Sequence, residues 1–132
     1  MNKNKDLGSL VTRLSVGIMM LLHGFAKIIE GIEPIQNMVI AKGLPSSISL
    51  GVYMGEVIAP LLLIVGYRTR LAALILVLNC IAIMWIGDYS ILSLNKFGGW
   101  IAELPGLFLF GALSLFFMGG GKYALSNNNK WD

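Results

Sequence analysis

The sequence predicts an all-α membrane protein, a four-transmembrane-helix bundle with both termini in the cytoplasm. Only 13% of the 132 residues are charged and 56% are hydrophobic, whereas soluble domains carry about 25% charged residues. Four apolar runs, each near the roughly 20 residues that cross a bilayer, lie at about 7–29, 47–66, 69–87 and 101–118. We therefore expect a single membrane domain over residues 1–132 and no soluble domain.

The first run carries two ionisable side chains within its apolar length. His23 and Lys27 lie four residues apart and therefore project from one helical face. Ionisable groups at this depth are costly unless they face a protein interior, a water-filled cavity or each other. The rest of the chain is expected to supply their partners. Arg13, nearer the other end of the run, is expected to snorkel to the membrane interface.

The connection that follows has the signals of a short helix. Pro34 can open this helix and Gly43 can close it. A helix over about 34–42 would lie on the outer surface as a lid, and an ordinary interfacial loop is the alternative. The apolar face of that helix comprises Ile35, Met38 and Val39.

The second run places an acid and a proline one turn apart. Glu56 lies about 13 Å from the outer start of the helix, a depth close to that of His23. Pro60 removes the N–H that would bond to the Glu56 carbonyl. This combination builds either a kink beside a polar pocket or only a bend.

The two later runs carry fewer polar side chains. Asn79, near the midplane, either joins helices by hydrogen bonds or binds a ligand. Cys80 is the sole cysteine, which excludes a CxxC redox centre, and is expected to be a small packing residue. The fourth helix opens with Trp100 and Glu103, and the polar tail is expected to be disordered beyond Leu125.

Lysine and arginine residues are distributed unevenly between the two ends of the predicted bundle. Seven of the ten lie at one end, which the positive-inside rule assigns to the cytoplasm. The seven are Lys3, Lys5, Arg13, Arg68, Arg70, Lys122 and Lys130, and the other three are Lys27, Lys42 and Lys96.

A weak internal repeat relates the two halves of the chain. Arg13 begins the first helix and Arg70 begins the third, while Glu56 and Glu103 lie in the outer parts of the second and fourth. Two parallel hairpins of this kind would pack about a pseudo-two-fold axis along the membrane normal.

Ionisable side chains from separate helices are predicted to meet in the outer half of the bundle. Because charges inside membranes are rare, several at one level are expected to contact one another. We predict that Glu56 contacts Lys27 or His23 beneath the lid, either as a structural network or in the wall of an outward-opening pocket. The ligand-binding candidates are His23, Lys27, Glu56, Asn79, Trp100 and Glu103, with the last two on the rim. No catalytic residue and no metal ligand is assigned.

Several motifs resemble the DoxX family. R-L-x-x-G-x-x-x-L-x-H-G-x-x-K runs from Arg13 to Lys27, and G-E-x-x-x-P-x-L-L-x-x-G runs from Gly55 to Gly66. The G-L-P at 43–45, the R-x-A-A from residue 70 and the terminal GGGKYALS also fit. The resemblance spans most of the chain.

The resemblance implies a small four-helix protein of the bacterial inner (cytoplasmic) membrane. The family takes its name from a subunit of a thiosulfate:quinone oxidoreductase, so the resemblance implies a redox-associated subunit that binds a quinone or a similar small molecule, not a self-sufficient enzyme. The expected partners are the lipid bilayer and a partner subunit or a second copy of the chain. Neither a covalently bound cofactor nor a nucleic-acid partner is expected. The alternative is a non-enzymatic assembly or transport component whose charged cluster is structural.

Overall fold

The structure is a computed structural model that describes residues 3–132, and over that range its regular elements are helices, apart from one isolated β-bridge between Leu94 and Trp100. The helices are α1 (Lys3–Glu30), α2 (Glu33–Ala41), α3 (Ser46–Val65), α4 (Thr69–Ile86) and α5 (Glu103–Met118). By length and composition, α1, α3 and α4 can cross a membrane, and α5 is a shorter apolar helix.

The four long helices pack in a ring around one apolar core. α1 packs against α3 and α5, and α4 packs against the same two, so that α1 and α4 lie diagonally. Fully buried alanines, namely Ala59, Ala72, Ala73 and Ala112, let the helices approach closely. Large apolar side chains such as Leu107 point outward instead. The side of the bundle that faces away from the core is therefore suited to contact with lipid.

α3 changes its helical type at the level of its acid. A π turn, Met54–Ile58, lies just before Pro60. Proline has no N–H to donate to the Glu56 carbonyl four residues earlier. The wider π turn accommodates this missing hydrogen bond within a continuous helix. The sequence left open a kink or a bend here, and the structure shows a π turn with Glu56 at its centre. Such turns are frequent at functional sites.

The tail after α5 is ordered, so the expectation of disorder beyond Leu125 is wrong. The backbone carbonyl of Trp131 accepts a hydrogen bond at 2.9 Å from the N–H of Arg70 in the first turn of α4. The Asp132 carboxylate accepts hydrogen bonds from the Ser126 hydroxyl at 2.7 Å and from the backbone of the tail. The tail therefore satisfies N–H groups that the start of α4 leaves without an intrahelical partner.

Arg13 is buried, so the expectation that it snorkels to the interface is also wrong. Its side chain is 1% exposed, and its guanidinium donates to the carbonyls of Gly120 at 3.0 Å and Tyr123 at 3.3 Å. Nearby, the Ser9 hydroxyl donates to the Gly119 carbonyl at 2.7 Å. Two nitrogens of the guanidinium thus bond to carbonyls that follow α5, which ties the N-terminal half of α1 to this segment.

The residues that define the predicted repeat do not have equivalent surroundings in the two halves of the chain. Arg13 is buried, whereas Arg70 is half-exposed and makes one long hydrogen bond, at 3.4 Å, to the Phe117 carbonyl. Glu56 is buried, and Glu103 is exposed. The two hairpins therefore place their arginines and acids in different surroundings.

Candidate functional site

A cavity of about 560 Å³ lies inside the bundle beneath α2. All four long helices and α2 contribute to its wall, which is mainly apolar. Its apolar lining includes Met20, Val52, Ile83, Leu104 and Phe108, and its polar lining includes His23, Lys27, Ser49, Glu56 and Asn79.

An ion pair joins two of the helices at the wall of this cavity. The Lys27 ammonium of α1 contacts the Glu56 carboxylate of α3, whose side chain is 3% exposed. A carboxylate buried this deeply is costly unless it is paired and hydrogen-bonded. The predicted contact between Glu56 and a basic residue of the first helix is therefore present, with Lys27 as the partner.

Gly24 lets α1 approach α3 at the level of the ion pair. A Cβ built on Gly24 would overlap the backbone carbonyl of Glu56. That carbonyl is the one that Pro60 leaves without its usual donor. A glycine one turn before Lys27 thus allows the two helices to come close enough for the pair to form.

Asn79 of α4 presents an unsatisfied donor at the cavity. Its Nδ2 is buried and has no hydrogen-bond partner among the described residues. The rest of the side chain packs against the Cα of Gly55, where a Cβ would overlap it. Because a buried polar group without a partner is costly, Asn79 is a candidate donor to a ligand rather than a bridge between helices.

His23 lines the cavity but does not join the ion pair. Its ring stands edge-on to Phe108 of α5, with 5.9 Å between centroids and an angle of 89°. The residue is exposed, and its ring nitrogens take no part in a hydrogen bond within residues 3–132. His23 therefore connects the α1 wall to the α5 wall, and its nitrogens remain able to bond to a ligand.

α2 covers the cavity as a helical lid. The segment is helical over Glu33–Ala41, so the alternative of an ordinary interfacial loop is wrong. Its three predicted apolar residues, Ile35, Met38 and Val39, all line the cavity. At the end of the lid, the Lys42 ammonium contacts the Asp88 carboxylate beyond α4 and lies 5.8 Å from the ring centre of Trp85. The lid is therefore held from its far end across the mouth of the cavity.

The residues that line the cavity include neither Trp100 nor Glu103, the two candidates predicted to lie on its rim. The Trp100 indole N–H donates to the Ile91 carbonyl at 2.9 Å, and its ring covers Gly106. Glu103 is exposed and lies beside Gly99. Trp100 thus ties the irregular segment between α4 and α5 to the start of α5.

Cys80 lines the cavity, a role that the sequence did not indicate. It is fully buried and free, which agrees with its expected packing role. The available signal was its position next to Asn79, because adjacent residues on one helix can border the same cavity. The described residues contain no group of three or more His, Cys, Asp or Glu side chains that could hold a metal ion.

Comparison with known proteins identifies one family. A protein-family model described as DoxX matches residues 8–88. Neither the curated proteins nor the solved structures gave a match. The matched segment contains nearly all of α1, the lid, α3 and α4, and thus Lys27, Glu56 and Asn79.

Proposed function

The chain belongs to the DoxX family of membrane proteins, and we propose that it binds a quinone or a similar lipophilic carbonyl compound in the cavity beneath α2, which we call the outer cavity. The observation that carries this proposal is the Lys27–Glu56 ion pair together with the orphaned Nδ2 of Asn79 in an otherwise apolar wall. Ligand cavities of about 300–1,000 Å³ with a few polar groups in apolar walls are typical of small-molecule sites. The volume of about 560 Å³ falls within that range.

The polar groups of the cavity fit a carbonyl head group. Lys27 and Asn79 can donate hydrogen bonds to carbonyl oxygens, and His23 can donate from one ring nitrogen. Glu56, paired with Lys27, can exchange a proton with the bound head group. The apolar wall fits the ring and the isoprenoid chain.

The redox part of the proposal is that the chain acts as a subunit of a quinone-linked complex. Reduction of a quinone to a quinol takes up two electrons and two protons. The electrons would come from a partner subunit, and Glu56 would pass on protons from water. The family resemblance supports this role, and the position of a carboxylate at the cavity wall is compatible with it.

The proposed topology has four spans, with α5 as the fourth, both termini in the cytoplasm and the lid outside the bacterial inner membrane. It is supported by the seven lysines and arginines at the end of the bundle that holds both termini, against three at the other end. Alkaline phosphatase fused after Asp132 should be inactive, and a fusion within residues 42–46 should be active. The reverse pattern would turn the cavity towards the cytoplasm.

A structural role for the charged cluster is the competing candidate. A Cβ on Gly24 would overlap the Glu56 carbonyl, so α1 and α3 are packed closely at the ion pair. Such close packing is expected if the pair serves to fix the positions of the two helices relative to each other. A chain of this kind would assemble with or support other membrane components without binding a small molecule.

Binding of a short-chain ubiquinone or menaquinone analogue tests the proposal. The purified chain in detergent is titrated with the analogue, and binding is followed by tryptophan fluorescence. We expect Glu56→Gln and His23→Ala each to weaken binding about tenfold, the equivalent of about one charge-assisted hydrogen bond. Glu103→Gln is the matched control, since it makes the same change outside the cavity, and it should leave the Kd unchanged. Absent binding, or equal binding by all variants, would contradict the proposal.

A further inference from the structure

A second cavity, of about 320 Å³, lies at the opposite end of the bundle from the lid. It is lined by Arg70, Phe116, Phe117, Lys130 and Trp131, and we call it the inner groove. The proposed quinone site uses none of these residues. Two cationic and three aromatic side chains therefore share one concave surface whose role is unassigned.

The ordered tail builds the inner groove. The carbonyl of Trp131 accepts a hydrogen bond at 2.9 Å from the N–H of Arg70, which brings Lys130 next to the start of α4. The last turn of α5 contributes Phe116 and Phe117, whose rings meet edge-on with 5.4 Å between centroids. The groove thus combines the start of α4, the end of α5 and the tail.

Both cations of the inner groove lack an acidic partner. The ion pairs of residues 3–132 involve Lys27, Lys42 and Arg68, and neither Arg70 nor Lys130 forms one. Arg70 makes a single long side-chain hydrogen bond, at 3.4 Å, which leaves most of its guanidinium donors available. An arginine in this state suits the bidentate binding of a phosphate, and a lysine beside it adds a second positive charge.

The apolar part of the groove continues onto the exposed side of α5. Phe117 is 70% exposed, and Phe110 two turns earlier on α5 is 59% exposed. Trp131 beside the cations is typical of the membrane–water interface. A soluble phosphate would leave this apolar surface unused, whereas the acyl chains of a lipid would cover it.

From this arrangement we infer that the inner groove binds the phosphate of an anionic phospholipid, with the acyl chains lying along α5. Basic sites at the cytoplasmic ends of membrane helices are suited to such head groups. The inference rests on the placement of the bundle in a membrane and is independent of the ligand in the outer cavity.

Native mass spectrometry of the full chain tests the inference with phosphatidylglycerol, phosphatidylcholine and inorganic phosphate as probes. We expect phosphatidylglycerol to bind the wild type more tightly than phosphatidylcholine does. Arg70→Gln/Lys130→Gln should weaken phosphatidylglycerol binding about 25-fold, because each cation that contacts the head group contributes roughly fivefold. Lys5→Gln/Lys122→Gln is the matched control, since it removes two exposed charges from the same end, and it should bind as the wild type does.

Three results would overturn the inference. Equal losses in the two double variants would indicate general attraction of the basic end to anionic lipid. Equal binding of the two lipids would remove the need for an anionic head group, and displacement of phosphatidylglycerol by millimolar inorganic phosphate would indicate a soluble phosphate site. If the Arg70→Gln/Lys130→Gln variant fails to fold, Lys130→Gln alone, at an exposed tail position, should weaken binding about fivefold, and an unchanged affinity would contradict the inference.

Discussion

Lys27 and Glu56 form an ion pair that joins α1 to α3 in the wall of the outer cavity. Removing one partner of a buried pair leaves an uncompensated charge, whereas removing both does not. We expect Lys27→Met and Glu56→Met each to lower the free energy of unfolding by about 3–5 kcal/mol. The double variant should retain much of the stability that either single change loses. Unfolding in mixed detergent micelles measures all four proteins, and losses that simply add in the double variant would contradict a direct interaction.

Gly24 should be the least replaceable glycine of α1. A Cβ at this position would overlap the Glu56 carbonyl, whereas a Cβ on Gly8 in the same helix meets nothing within 4 Å. We expect Gly24→Ala to destabilise the protein by about 1–3 kcal/mol, as overpacking does. Gly8→Ala, the matched control, should be neutral or stabilising by up to about 1 kcal/mol, because alanine favours a helix. Equal thermal stabilities of the two variants would show that α1 and α3 do not meet closely at Gly24.

The contact of Lys42 with Asp88 should control access to the outer cavity. Asp88 is largely exposed, and exposed ion pairs contribute at most about 1 kcal/mol. Lys42→Gln should therefore leave the fold intact and let the lid open up to about fivefold more often. The alkylation rate of Cys80 by a small neutral maleimide measures this opening, since Cys80 is the sole cysteine and lines the cavity.

Lys96→Gln is the control for the lid experiment. Lys96 is exposed and, like Lys42, lies near an aromatic ring, that of Phe97, at 5.0 Å from its centre, but it forms no ion pair within residues 3–132. Its replacement should leave the alkylation rate of Cys80 unchanged. Equal rates in Lys42→Gln and the wild type would mean that the contact does not hold the lid.

The tail should detach from the bundle in acid. Burial acts to raise the pKa of the Asp132 carboxyl, but the Ser126 hydroxyl, the N–H groups of Asn129 and Asn128, and the charge of Arg68 hold that pKa below its ordinary value. A carboxyl whose folded pKa is lowered gives stability that is present above the unfolded pKa, about 3.9. This stability is lost as the pH falls through the folded value. We therefore expect the tail to be bound at neutral pH and released below about pH 3.9.

Hydrogen exchange of the tail amides, corrected for the intrinsic rate at each pH, measures the release. Asp132→Asn should release the tail at neutral pH, because the amide cannot replace the charged acceptor of these hydrogen bonds. Glu30→Gln, which changes an exposed carboxylate at the other end of α1, is the control and should leave the exchange unchanged. Protection of the tail in Asp132→Asn at neutral pH would contradict the account.

The ion pair and the lid could be predicted from the sequence, because what determines them is local to each helix. The depths of Lys27 and Glu56 follow from counting residues along two antiparallel helices, and their contact is present. The apolar face of the lid follows from the spacing of Ile35, Met38 and Val39, which line the cavity.

The contacts at the end of the bundle opposite the lid could not be predicted, because the partners there are backbone groups in remote turns. The guanidinium of Arg13 bonds to the carbonyl of Gly120, 107 residues away, and no side-chain pattern marks that acceptor. The same holds for the tail, which is anchored through the carbonyl of Trp131. The packing of the Trp100 ring against Gly106 was not predictable for a related reason, since the irregular segment before α5 decides where the ring lies.

Photo-crosslinking with an azido derivative of a short-chain quinone tests the central claim most directly, because it reports where the ligand lies. The claim predicts labelling at residues that line the outer cavity, around His23 on α1 and Asn79 on α4. The labelling should be competed by unmodified quinone and strongly reduced in the folded Lys27→Met/Glu56→Met variant. Labelling confined to outward-facing positions such as Leu107, and unaffected by competitor, would contradict the claim.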